Sequence, residues 1–265
     1  KTLVMGVLNV TPDSFSDGGK FFSAKDAIQQ AMNLISNGAH IIDVGGESSR
    51  PGAVPLSVSD ELERVVPVIK GIRERSPEIL ISIDTYKSEV AGQAIESGAN
   101  IVNDISGLGF DKNMPNIIAG TGVPVIIMHM QGMPNNMQNN PNYNNLIADI
   151  CSFFSNQVDL AISAGIKKDQ IILDPGIGFG KTMDHNFKLI QQLNQFSSLG
   201  FPLMVGPSRK SFIGNFLNVD INERIEGTAA VVVASIMNGA RIVRVHDIKE
   251  IKRVVQVVDK IRMVQ

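Results

Sequence analysis

Asn37-Gly38-Ala39-His40-Ile41-Ile42-Asp43-Val44-Gly45-Gly46 is the stretch from which the fold can be read. A segment with apolar residues at helical spacing ends on Asn37-Gly38, and a short apolar run follows. Glycine suits the position just past a helix end, where the left-handed conformation costs it nothing. The same ending recurs at Ser97-Gly98, Thr121-Gly122, Ala164-Gly165, Leu199-Gly200 and Asn238-Gly239. Behind these six endings lie apolar runs at 40–44, 101–102, 123–128, 171–173, 203–205 and 242–245, and runs at 3–8 and 79–83 complete a set of eight. They are apolar nearly throughout rather than alternating, as parallel strands covered on both faces are.

The intervening helices have readable ends. Ser23 stands three residues before Asp26 and Ser57 three before Asp60, the pattern of an N-terminal cap. From Ile248 onward, Ile251, Val255 and Val258 share one helical face. Eight strands, each followed by a helix, fit a closed (β/α)8 barrel or an open doubly wound sheet. The strand count favours the barrel, as does the lack of a strand–GxGxxG–helix pattern near the start. No break in composition marks a second domain. Residues 1–265 are therefore predicted to form a single α/β domain, a (β/α)8 TIM barrel. The length of 265 residues, 43% of them hydrophobic, is ample for such a core. Residues 133–145, crowded with Asn, Gln and Pro, read as a polar loop after the fifth strand, a solvated connector at least as readily as a functional element.

Composition excludes several classes of function. A formal net charge of −2 leaves no electrostatic footprint for nucleic acid or an anionic membrane, so any anion must be caught by a local cluster. The longest apolar run, 229–237, is far short of the ~20 residues that span a bilayer. Cys151, the only cysteine, rules out a disulfide framework and a cysteine-based metal site. Beside Phe153 and Phe154 it reads as a small core residue in a reducing compartment. With no secretory pattern at the start, a cytoplasmic location is expected.

In such a barrel the chemistry sits where the strands end. Those ends carry Asn9, Asp43, Asp84, Asn103, His129, Asp174, Arg244 and His246. Singly, each has an ordinary explanation as a turn or cap residue. So many on one rim point to a site, because unpaired polar groups near a core are costly. Asp84, Asn103 and Asp174 suit a flat heterocycle rich in N–H and C=O groups, read edge-on. Arg244 and His246, two apart on a strand, face the same way and would clamp an anion; the competing reading is a structural pair bonded to rim carboxylates. Gly206-Pro207-Ser208-Arg209-Lys210-Ser211 opens a helix, where backbone N–H groups with Lys210 and Ser211 favour a second anion. The implied substrates are a heterocycle with an anionic leaving group and a second, acidic molecule. The polar, glycine-bearing loops at 11–19 and 47–52 are expected to close over them.

These residues belong to eight segments in order: VMGVLNVTPDSFSDGG (4–19), IIDVGGESSRPGA (41–53), ISIDT (81–85), IVNDISG (101–107), VIIMHMQGMP (125–134), ILDPGIGFGK (172–181), GPSRKSFIG (206–214) and RVHD (244–247). Together they resemble the dihydropteroate synthase family. The resemblance implies condensation of a dihydropterin pyrophosphate with p-aminobenzoate, through a pterin cation, in folate biosynthesis. It assigns the pterin edge to Asp84, Asn103, Asp174 and Lys210, and pyrophosphate to Asn9, Arg50, Arg244 and His246. Asn9 would also contact Mg²⁺, an ion usually held mostly by substrate phosphates. Phe15, Ser49, Pro51, Phe179 and Ser211 would form the p-aminobenzoate pocket. Arg50, Lys210, Asp17 and Asp84 would be the catalytic residues, acting by electrostatic stabilisation rather than as a nucleophile. A homodimer through the later helices is also implied.

Ser49 departs from the Thr usual in the family, keeping the hydroxyl and losing a methyl, which could alter contacts to p-aminobenzoate or its sulfonamide mimics. Family members often begin with an additional short segment, so residues before Lys1 are expected. A pterin-dependent methyltransferase domain would share the barrel and the Asp/Asn pocket but would not need 49–52 or 208–210. A non-catalytic pterin-binding paralogue would have lost the anion-binding residues, which are present here.

Overall fold

In a computed structural model describing residues 1–11, 24–48 and 54–264, the six helix-ending glycines all take positive φ, from 73° at Gly122 to 115° at Gly98. Each lets the chain turn back toward a strand, namely β2 (Ile41–Gly45), β4 (Ile101–Asp104), β5 (Val125–Met128), β6 (Ile171–Asp174), β7 (Leu203–Val205) and β8 (Ala240–Val245), which join β1 (Leu3–Asn9) and β3 (Leu80–Asp84). Every strand pairs in parallel with the next, and β8 pairs with β1, closing the barrel. β5 starts at Val125 because Pro124 has no N–H for the ladder, although its carbonyl still accepts from Val102 N at 3.0 Å. β4 and β6 run on through Asn103, Asp104 and Asp174, polar residues whose backbones stay in the ladder.

The surrounding helices are α1 (Ala24–Ser36), α2 (Val58–Arg75), α3 (Ser88–Glu96), α4 (Met114–Thr121), α5 (Leu146–Ser163), α6 (Met183–Gln191), α7 (Ser211–Leu217), α8 (Ile225–Met237) and α9 (Ile248–Met263). Ser57 caps α2, its Oγ accepting from Asp60 N at 3.1 Å. The corresponding cap at Ser23 lies outside the described residues. On α9, Ile248, Ile251, Val255 and Val258 are all buried. Half-buried Cys151, on α5, packs against the core.

Two cores result from the strand's alternation. Outward-facing Val4, Ile42, Ile81, Val102, Ile127, Leu173, Val205 and Val243 pack beneath the helices. Inward-facing Met5, Ile41, Ile101, Ile126, Met204 and Ile242 plug the barrel's lower half. One pleat higher on the same inward face stand Asp43, Ser82, Asn103, Asp174 and Arg244, so the interior turns from apolar to polar toward the C-terminal ends. That polar layer is where a ligand can replace water. The segment 133–145 is more than a solvated connector. Met137 is buried against Ile105, Met128 and Phe179, and Tyr143 Oη donates to Gly180 O at 2.8 Å. Among the described residues, no helix is long and apolar enough to cross a membrane.

Candidate active site

A small recess opens at the C-terminal mouth of the barrel. Its polar lining is Asp84, Asn103, Asp174, Lys210 and Arg244; Ile105, Met128, Ile177 and Phe179 supply apolar walls. Strand register explains the convergence. Asn9 pairs with Gly45, Gly45 with Asp84, and Asp84 with Asn103, so residues far apart in sequence share one row at the rim. Asp174 ends β6, and its Oδ1 accepts from Gly176 N at 2.8 Å. That turn needs glycine: Gly176 has φ 68°, and a Cβ there would lie 1.9 Å from His129 O.

Electrostatics separate the polar groups. Burial pushes Asp84 up to about 7, against the pull of Arg244 and with a further push from Asp43. Burial likewise raises Asp174 to about 6, opposed by the Gly176 hydrogen bond and by Lys210. Lys210 is brought down to about 8 by burial and by Arg244, against the attraction of Asp174 and Asp84. The Lys210 ammonium lies 4.0 Å from the centre of the Phe179 ring, a cation–π contact across the recess. Lys210 precedes α7 without capping it through its side chain, which leaves that side chain to the pocket. Ser211, the first residue of α7, is exposed.

The expected clamp of Arg244 and His246 takes a different form. Arg244 donates from Nε to Asp43 Oδ2 at 2.5 Å and from a terminal nitrogen to Asp84 Oδ2 at 2.7 Å, which is the competing reading of a cation bonded to rim carboxylates. Burial works against its charge, but Asp43 and Asp84 more than compensate and hold the guanidinium pKa above its ordinary value. His246 lies just past β8 and meets Ser208 instead, its Nδ1 3.0 Å from the hydroxyl. Desolvation at the crowded rim, with Arg244 and Arg209 as neighbouring cations, lowers His246 to about 4. It is therefore neutral near pH 7 and offers a hydrogen bond rather than a charge.

Other site-forming residues went unread in the sequence. Lys181, only 3% exposed, donates to Phe179 O at 2.9 Å and sits 3.0 Å from His129 Nδ1, tying the β6 turn to the end of β5. Arg209, at φ 56°, pairs with Asp247 and so joins the loops after β7 and β8. Glu47 accepts from Tyr86 Oη at 2.7 Å, Lys87 Nζ at 2.6 Å and Leu56 N at 2.7 Å, and Lys87 also pairs with Glu61. Lys181, Arg209, Asp247 and Glu47 carried a signal, as they lie in ILDPGIGFGK, GPSRKSFIG, RVHD and IIDVGGESSRPGA; Tyr86, Lys87 and Glu61 enter only through pairings that folding creates. Phe15, Asp17, Ser49, Arg50 and Pro51 lie outside the described residues.

For a metal, the chain offers little by itself. No group of three or more His, Cys, Asp or Glu among the described residues could hold an ion. Asn9, at the end of β1, brings one neutral oxygen. That donor set fits a hard divalent cation only where substrate phosphates complete the shell.

Comparison with known proteins places the geometry in context. The family model described as pterin binding enzyme matches residues 5–246. A dihydropteroate synthase from Synechocystis sp. is 51% identical over 260 residues, spanning 98% of this chain and 90% of that protein. The solved Yersinia pestis dihydropteroate synthase in complex with a sulfonamide drug superposes with a TM-score of 0.94 at 44% identity, covering 99% of this chain and 95% of that one. The Xanthomonas albilineans dihydropteroate synthase with 4-aminobenzoic acid gives a TM-score of 0.94 at 35% identity, over 100% and 94% of the two chains.

Proposed function

The chain belongs to the dihydropteroate synthase family of pterin-binding enzymes, and from that premise we propose how its barrel performs the transfer. The substrates are 6-hydroxymethyl-7,8-dihydropterin pyrophosphate and p-aminobenzoate, and the products are 7,8-dihydropteroate and pyrophosphate. One observation carries the reading: Asp84, Asn103 and Asp174 converge on a single recess faced by Lys210. Such a set accepts from the N–H groups of a pterin edge, while the ammonium serves its ring carbonyl.

The reaction breaks the C–O bond between the pterin's exocyclic methylene and pyrophosphate. The electron pair leaves with pyrophosphate, and the methylene cation is delocalised into the ring. The neutral amine of p-aminobenzoate attacks that carbon and then loses a proton to solvent. Asp84 and Asp174 hold the ring and, when ionised, stabilise its developing positive charge. Arg244 can exchange Asp84 for the departing pyrophosphate, with His246 adding a hydrogen bond. Phe179 and Ser211 face the incoming amine's aromatic ring and carboxylate. Arg50 completes the pyrophosphate site, and Phe15, Asp17, Ser49 and Pro51 complete the p-aminobenzoate side.

Mg²⁺ is proposed as the metal: Asn9 would give it one ligand, the substrate's phosphates would complete the shell, and the bound ion would supply neutralising charge to the pyrophosphate. A homodimer is proposed through α7 and α8. α8 is mostly apolar, and exposed Phe216 (63%) on α7, Ile221 (47%) between the two helices and Met237 (55%) at the end of α8 give this side of the barrel apolar surface that a second copy would cover. Small soluble substrates and a lone reduced-type cysteine fit a cytoplasmic enzyme.

Calorimetric titration with 6-hydroxymethylpterin tests the pocket. Asp174→Asn should bind at least about tenfold more weakly than the parent, since a charged acceptor becomes a neutral amide. Equal affinities would remove Asp174 from the pterin site.

A further inference from the structure

Asp43 ends no strand and is not part of the recess wall, yet it is wholly buried and touches two residues that are. Its Oδ2 accepts from Arg244 Nε at 2.5 Å and from Asn103 Nδ2 at 3.1 Å. Asn103 is 2% exposed, and its Oδ1 has no hydrogen-bond partner among the described residues.

An ionised carboxylate is an acceptor only, whereas a primary amide has a donor end and an acceptor end. A flipped Asn103 would set its carbonyl oxygen against Asp43 Oδ2, with no proton between them. The carboxylate therefore decides which way the amide points. With Nδ2 committed to Asp43, Oδ1 is the end left to a ligand. A buried acceptor without a donor is costly, so it favours a ligand that brings an N–H to that place and penalises one that brings an oxygen.

We propose that Asp43 is a positioning residue that determines specificity: by fixing the Asn103 amide, it makes the recess select a heterocycle presenting an N–H donor there over an isostere presenting an acceptor. The proposal rests on the reading of this recess as the pterin site.

Two ligand pairs test it by calorimetry. 6-Hydroxymethylpterin and 6-hydroxymethyllumazine differ in an amino group replaced by an oxo group. The 7,8-dihydro and fully aromatic pterins differ in the N–H at position 8. Asp43→Asn supplies an amide that can accept or donate, which frees Asn103 to turn. At least one of the two Kd ratios should then shrink about tenfold or more relative to the parent. In the double variant Asp43→Asn/Asn103→Asp, position 103 can only accept while position 43 donates to it, so the ratio should return to within about threefold of the parent value. Thermal melts before titration confirm that each variant is folded. Both ratios unchanged in Asp43→Asn, or no recovery in the double variant, would overturn the proposal. If the parent binds no pterin at all, the pocket reading fails and the proposal falls with it.

Discussion

The Asp84 carboxylate lies 2.7 Å from the Arg244 guanidinium, across the mouth of the barrel. Their sequence positions are 160 residues apart, and β8 meets β3 only through the closed strand circuit. The pair gives Asp84 a cation while it waits for a ring N–H, and gives Arg244 an anion while it waits for phosphate. Binding of a pterin pyrophosphate would exchange both partners at once. Substrate entry in this sense trades one ion pair for another at Arg244 and for a charge-assisted hydrogen bond at Asp84, rather than desolvating bare charges, which would be far more costly.

A pH profile follows from the shifted groups. Asp84, raised to about 7, and Asp174, raised to about 6, lose their negative charge as pH falls through those values. Lys210, lowered to about 8, loses its positive charge as pH rises past that value. The kcat/KM for the pterin substrate should be bell-shaped, falling below about 7 and above about 8, because it reports the free enzyme. Flat kcat/KM from pH 5 to 9 would contradict these environments.

Lys210→Ala removes a charged donor from a preorganised site. Steady-state turnover should drop by roughly 10²-fold or more. Near-normal turnover would mean that Lys210 contributes only to the Phe179 contact.

Lys181→Met strips the β6 turn of its donor and leaves the Phe179 carbonyl buried without a partner. The cost should be about 1–3 kcal/mol. Differential scanning calorimetry should show Tm lowered by roughly 2–6 °C. An unchanged Tm would show that the turn holds itself without the lysine.

Met237→Glu places a charge on the exposed apolar region of α7 and α8. Sedimentation should shift the protein from dimer to monomer, with the far-UV circular dichroism retained. A parent protein that already sediments as a monomer would refute the proposed dimer.

The scaffold was legible because its signals are local. Helix-ending glycines such as Gly98 need positive φ, and the apolar runs after them can be read without knowing their partners. The rim was legible too, since Asp84, Asn103 and Asp174 follow apolar runs directly. What could not be read is which rim groups neutralise one another. Arg244 finds Asp43 across 201 residues, and only barrel closure creates that neighbour. Lys181 sits in a glycine-rich turn and would pass for a solvated lysine. The positive φ angles of Gly176, Gly178 and Gly180 fold it inward. His246 reads as a cation in isolation and becomes neutral through burial and the cations beside it.

The most direct measurement is pyrophosphate release from 6-hydroxymethyl-7,8-dihydropterin pyrophosphate in Mg²⁺, with p-aminobenzoate present and absent and dihydropteroate quantified in parallel. The account predicts Mg²⁺-dependent release, with one dihydropteroate formed per pyrophosphate when p-aminobenzoate is supplied. Tight pterin binding with neither release nor product would contradict it and identify a pterin-binding protein without transferase activity.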